Sequence, residues 1–282
     1  MSFPSFETAK AGYGNLWRSM TIRPERRAAL ERAARKILRG KSRYMIVERS
    51  TGVPWFVIGL EHYREADCSF ACHLHNGDNG YPDANGRLTV RTRQVPAGRP
   101  ASAPPWTWED SARDALAIDG LNRVVEWGIE RIGYMCEKFN GEGYFGHDVN
   151  SPYVWAGCNH YGDPPNTGKY VADHVFDPHA IDTQLGCMPL LAVMMELDAS
   201  IAVWLGSPQP VPPPAPGKPP VKPPAGPPVK PPVQPGAKHA AGAGIAAVVA
   251  GLAHWLGAHP AVVITLFVAV LAAFAFIMSK QK

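Results

Sequence analysis

Glu65 closes a short apolar run, Trp55-Phe56-Val57-Ile58-Gly59-Leu60, and precedes a polar, turn-rich stretch, His73-Leu74-His75-Asn76-Gly77-Asp78. A carboxyl at the lip of a packed helix is both held and partly desolvated. Desolvation raises the pKa of a carboxylic acid, and an acid that keeps its proton near neutral pH can donate it to a glycosidic oxygen. The same position also suits an ordinary solvated helix-end carboxylate. Glycoside cleavage passes through an oxocarbenium-like transition state, so it needs a second group as well: a carboxylate or a held water on the opposite face of the sugar. Asp78 is the candidate for that role, with Thr92 as a hydroxyl partner. Asp78 fits a turn-capping residue equally well.

A different chemistry uses the same helix. His62 and Glu65 stand at i and i+3 on one helix face, and with His75, or with His73 or His160, they supply ligand types used by zinc peptidases and amidases. On the glycosidase reading the site takes no metal and no cofactor. Five cysteines, Cys68, Cys72, Cys136, Cys158 and Cys187, cannot all pair, and no CxxC occurs, so buried thiols are expected rather than a structural zinc site or a disulfide framework.

These residues need elements to position them. Pro24, Pro54, Trp108-Glu109-Asp110 and Pro178 mark helix starts, giving expected helices at 24–39, 54–67, 109–118, 121–138 and 178–204. Between them, Gly77, Gly80, Pro82, Gly86, Pro96, Gly98 and Pro100 bracket the alternating stretch 88–95, which predicts a small β-hairpin beside the helix that ends at Glu65. The expected fold is therefore mainly α, in an α+β arrangement with a helical lobe and a small β-hairpin.

Composition divides the chain into three. Residues 1–206 have globular composition and hold seven of the eight tryptophans and all 24 acidic residues; 207–238 are dominated by Pro; 239–282 are rich in Ala, Val and Leu. The globular part carries 22 basic and 24 acidic side chains, so the net charge of +4 comes from six lysines in the tail. The first 50 residues hold 12 basic and 4 acidic groups, a local patch that seeks anions such as a cell wall or lipid headgroups. No aromatic residues interleave Arg26, Arg27, Arg32, Arg35, Lys36 and Arg39, and nucleic acid is not expected as a partner. The start of the chain lacks a charged segment followed by an apolar run, so no signal peptide is expected.

Fifteen prolines between Pro208 and Pro235 predict a polyproline II spacer. Beyond it, residues 261–278 form an 18-residue run without charge, which as a helix spans about 27 Å, close to a bilayer core. Lys280 and Lys282 favour a cytoplasmic end, which would place residues 1–206 on the periplasmic side of a single-pass anchor. Residues 245–256 read as an interfacial helix.

The joint order of several motifs resembles the lysozyme-family endolysins of proteobacterial phages and prophages. The resemblance covers about residues 10–197. It rests on Val53-Pro54-Trp55 leading to His62-x-x-Glu65-Ala66, on 73–78, Val95-Pro96-Ala97-Gly98-Arg99-Pro100, Trp106-Thr107-Trp108-Glu109, Phe139-Asn140-Gly141-Glu142-Gly143-Tyr144 and 150–155, and on Asn159-His160-Tyr161 and 168–173. The Asn-Gly-x-Gly-Tyr element is similar to the segment that lines the sugar groove of goose-type lysozymes and lytic transglycosylases. The resemblance implies a lysozyme-like fold, peptidoglycan glycan strands as substrate, and cleavage of the β-1,4 bond between N-acetylmuramic acid and N-acetylglucosamine with Glu65 as general acid. Asn140, Tyr144, Tyr153, Trp155, Asn159 and Tyr161 are candidates for binding acetamido sugars, although each ring alone fits a core as well as a groove. The expected setting is a membrane-anchored enzyme of an infected or lysogenic bacterium, with a holin as a possible partner. The alternatives are a zinc amidase or peptidase built on His62, Glu65 and His75, and a non-catalytic wall-binding membrane protein.

Overall fold

The computed structural model describes residues 3–172 and 174–206. The expected spacer at 207–238, the interfacial helix at 245–256, the transmembrane helix at 261–278 and Asp173 of the 168–173 motif lie outside the described residues.

The described residues are mainly helical. Nine helices occur among them: α1 (Phe6–Ser19), α2 (Pro24–Arg39), α3 (Lys41–Thr51), α4 (Trp55–Ala66), α5 (Trp108–Ile118), α6 (Ile129–Asn140), the single turn α7 (Pro152–Trp155), α8 (Cys187–Leu197) and α9 (Ser200–Gly206). A two-stranded antiparallel sheet pairs β1 (Lys169–Ala172) with β2 (Val175–Asp177).

Helix α4 is the axis of the fold. Every residue from Trp55 to His62 is buried, and so is Arg64, so this helix must be enclosed by neighbours. Helices α2, α3, α6 and α8 enclose it, while α1 lies along α6. Gly59 permits the closest approach: a Cβ there would stand 2.4 Å from the Ile37 side chain of α2. The helix ends where Asp67 and Cys68 turn into the left-handed region, at φ of 46° and 57°. Glu65 thus sits on the last turn, at the lip of the core.

Three expected elements take a different form. The 121–138 helix is interrupted: Gly120 (φ 72°) ends α5, a 3-10 turn spans Leu121–Arg123, and α6 begins only after Gly128. The segment 124–128 contains two valines and a glycine, poor helix formers. Residues 178–186 form a loop, and the helix expected at 178–204 becomes α8 and α9, bent by 108°. Asp198 makes that corner, accepting the Ser200 amide at 3.0 Å and pairing with Lys41 at 2.6 Å. Among the described residues no single helix is long and apolar enough to cross a membrane.

The hairpin expected at 88–95 is replaced by an irregular lobe over residues 67–106 held by isolated bridges, Cys72 with Asn79, Pro82 with Leu88 and Leu88 with Trp106. Its backbone groups find partners one at a time. Thr89 and Val90 both donate to Gly80, Leu88 exchanges bonds with Trp106, and the amides of Arg93 and Gln94 are taken by the Asp78 carboxylate. No single neighbouring strand remains for 88–95 to pair with.

Candidate functional site

Glu65 is half-buried, and its Oε1 accepts a hydrogen bond from Tyr153 at 2.9 Å. Tyr153 comes from α7, where Pro152 at the first helical position and the buried Ser151 before it direct the ring inward. The Arg64 guanidinium lies 4.4 Å from the centre of that ring. Arg64 is itself fixed, donating to the Leu185 carbonyl at 3.1 Å and pairing with the buried Asp182 at 3.3 Å. The ring beneath the acid is therefore clamped between helices.

A second carboxyl, missed by the sequence reading, lies one turn below. Glu61 is fully buried on the same face of α4, with Oε2 2.5 Å from the Tyr153 hydroxyl and Oε1 without a hydrogen-bond partner. Burial pushes the Glu61 carboxyl up to about 8, against the opposing hydrogen bonds of Tyr153 and Cys136, so it is protonated at neutral pH. The signal was present in the sequence, since Glu61 and Glu65 stand four apart on a helix with an apolar run.

The irregular lobe reaches the same place. Gly77 (φ 74°) passes so close to the helix end that a Cβ would lie 2.1 Å from the Glu65 carbonyl oxygen, so both its backbone angle and its contact exclude a side chain. Asp78 follows directly. Its Oδ2 accepts from the amides of Arg93 (2.6 Å) and Gln94 (2.8 Å) and from Asn76 (3.2 Å), and its Oδ1 accepts from the Gln94 side chain at 3.0 Å. Although desolvation opposes it, these donors hold Asp78 below the usual carboxylate range and keep it ionised. Thr92 is buried, donating to the Pro96 carbonyl at 2.5 Å and accepting from the Arg99 amide at 2.9 Å. Asp78 and Thr92 therefore belong to one turn system, and both organise it.

The histidines hold structure together. His62 is buried among the rings of Tyr44, Phe70 and Trp108, with Nδ1 on the Tyr44 hydroxyl at 2.9 Å and Nε2 on the Ser69 carbonyl at 3.1 Å. Desolvation lowers its pKa to about 3, so it is neutral. His73 spans Ser111 of α5 and the Val90 carbonyl, both at 2.7 Å, and His75 meets Asp114 of α5 at 2.8 Å. His160 bonds the Leu16 carbonyl at 2.7 Å. Both ring nitrogens of His62 are committed, so the His62, Glu65 and His75 ligand set does not assemble. Among the described residues, the group of three metal-type donors within 4.8 Å of one another is Glu61, Cys136 and Cys187, all buried. All five cysteines are free thiols; the hydrogen bond with Cys187, with burial, pushes the Cys136 thiol up, and burial pushes up that of Cys187.

The sugar-binding candidates occupy varied places. Tyr153 contacts both glutamates. Tyr144 is buried against Tyr170 and Phe176, and Trp155 is stacked on Tyr13, so both rings belong to packed clusters. Tyr161 is buried, donating to the Gly168 carbonyl and accepting the Asp182 amide, both at 2.9 Å. Asn159 is exposed, but its amide is occupied by the Thr21 amide and the Ser19 carbonyl. Asn140 is buried at the end of α6. These residues shape the walls that carry Tyr153 and leave few free polar groups for a sugar. A separate open cavity of about 690 Å³ is lined by Phe6, Asp119, Arg123, Arg131, Tyr134 and Lys138, residues that the motifs did not single out.

No family model, curated protein or solved structure matches the chain.

Proposed function

We propose that this chain is a peptidoglycan glycosidase, a muramidase that cleaves the β-1,4 bond between N-acetylmuramic acid and N-acetylglucosamine with Glu65 as general acid. The observation that carries this reading is the placing of Glu65: a half-buried carboxyl on the last turn of a helix that is buried from Trp55 to His62, hydrogen-bonded by a clamped tyrosine and with Gly77 of the irregular lobe against its backbone carbonyl. General acid catalysis needs a positioned proton donor, and oxocarbenium development needs negative charge nearby. Asp78 provides that charge as a fixed anion, and Thr92 acts through the turn that holds it.

The proposal extends to the rest of the chain as the composition describes it. Residues 207–238 tether the enzyme to a membrane helix at 261–278, the globular part works in the periplasm on glycan strands, and a holin is a candidate partner during lysis.

The test is mass spectrometry of fragments that the detergent-solubilised full chain releases from purified peptidoglycan, with Glu65→Gln as control. Disaccharide peptides with muramic reducing ends are expected from the wild type, and loss of about a hundredfold or more from the variant. Anhydro-muramic ends would make the reaction a transglycosylation with the same acid. Free peptides, or binding to the wall without products, would overturn the proposal.

A further inference from the structure

Resting on the reading of Glu65 as proton donor, we propose that Glu61 and Glu65 work as one carboxyl pair that holds a single proton and exchanges it through the Tyr153 hydroxyl, with Glu61 as a positioning residue for the reaction.

The geometry sets the problem. One phenol oxygen lies 2.5 Å from Glu61 Oε2 and 2.9 Å from Glu65 Oε1, yet a phenol has one proton to give. With both carboxyls ionised, one of these two contacts would press unprotonated oxygens together. A proton on either carboxyl removes the conflict. In one arrangement Glu61 donates to the Tyr153 oxygen while Tyr153 donates to Glu65; in the other Glu65 donates to Tyr153 while Tyr153 donates to Glu61. Passing between them breaks the Glu61 O–H bond as the Tyr153 oxygen gains that proton, and breaks the former Tyr153 O–H bond as Glu65 gains the second. The result is a proton moved from Glu61 to Glu65, with the negative charge now on Glu61 and no other reactant involved.

The surroundings favour a single proton on the pair. Cys136 on α6 and Cys187 on α8 face Glu61 as neutral thiols, and Asp119 at the end of α5 adds negative charge. Arg64, whose guanidinium lies 4.4 Å from the centre of the Tyr153 ring, is also bonded to Asp182 and the Leu185 carbonyl. Two carboxyls that share one phenol oxygen are a close pair of the kind that does not doubly ionise. The arrangement has a use. When a glycan covers the lip of the helix and cuts Glu65 off from bulk water, the proton that Glu65 donates reaches it from Glu61 through Tyr153.

Infrared difference spectroscopy of the full chain reads the protonated carboxyl of Glu61 directly as pH is raised, without reference to activity. Replacing Glu65 by Gln removes the neighbouring charge, and the pH at which the Glu61 signal disappears is expected to fall by about one unit or more. Kinetics on peptidoglycan add a second readout. Tyr153→Phe keeps both acids but not the bridge, and kcat should drop about tenfold or more with KM held within about twofold. Glu61→Gln should move the alkaline limb of kcat to lower pH. Glu65→Gln changes a half-buried residue at the helix end, so this arm remains informative even if the buried substitution at Glu61 does not fold. A Glu61 signal that titrates at the same pH in wild type and Glu65→Gln would overturn the pair. Absence of glycosidase products alongside a shifted signal would overturn the enzymatic reading and leave the shared proton standing.

Discussion

Helix α4 carries an acid and a base side by side, Glu61 and His62, and burial holds both neutral. Their effects on stability run in opposite directions. A carboxyl raised in the folded state binds a proton that the unfolded chain releases, so its contribution is full below about 4.5 and is lost as pH rises through the folded value. That value is about 8 for Glu61 and about 7 for Glu137, which is buried and hydrogen-bonded by Tyr13. His62 is lowered from 6.5 to about 3, so its contribution is full above 6.5 and is lost as pH falls toward 3. The melting temperature of the full chain should therefore peak between about pH 4.5 and 6.5 and decline on the alkaline side, with Glu61 costing on the order of 3–5 kcal/mol by pH 8. Thermal melts followed by circular dichroism from pH 4 to 9 check this. Glu61→Gln and Glu137→Gln should each flatten the alkaline decline, and a melting temperature that rises between pH 6.5 and 8.5 would contradict the buried acids.

At the scale of elements, the contact between the irregular lobe and the end of α4 is the decisive one. Gly77→Ala adds a methyl group where the Glu65 carbonyl already stands and demands a left-handed backbone of a residue that resists it. We expect a loss of about 1–3 kcal/mol in stability and a larger proportional loss of activity, because relief of the clash must move the lobe or the acid. Urea unfolding together with product release would measure both. An active Gly77→Ala enzyme of wild-type stability would mean that the lobe is free to shift. Much of this scaffold was legible beforehand. Pro24, Pro54 and Trp108-Glu109-Asp110 mark helix starts where the residues suggested, because such signals act locally. Helix α3 was not legible, since Gly40 alone separates it from α2. Nor was α1, whose hydrogen-bonded Ser5 cap is followed by two glycines that weaken the helical pattern. In the lobe the alternation of 88–95 suggested a hairpin, but Asp78 captures two of the amides a partner strand would need. Tyr153 was placed on a sugar groove, and its role beneath Glu65 depended on a contact across 88 positions that no local pattern encodes.

For the whole molecule, the helices among the described residues that pack on α4, including α9 through Trp204 on Phe56, all end by residue 206. A chain ending at residue 206 should retain the circular dichroism spectrum of its helices and its activity on dispersed peptidoglycan, while the full chain should sediment with membranes and the shortened one should not. Fractionation of expressing cells tests this, and a soluble full chain would remove the anchor from the proposal. On the proposed function, the way Gly77 rests against Glu65 also sets a temperature limit on activity. The lobe is tied to α5 by polar links, His73 to Ser111, His75 to Asp114 and Arg99 to Asp114, and to the core through Leu74 and Phe70, whereas α4 is buried along an unbroken run from Trp55 to His62. Warming should loosen the lobe first, so catalysis should fade reversibly over a range in which the helices are still intact, and the enzyme should recover on cooling as long as it has not been heated far enough to melt.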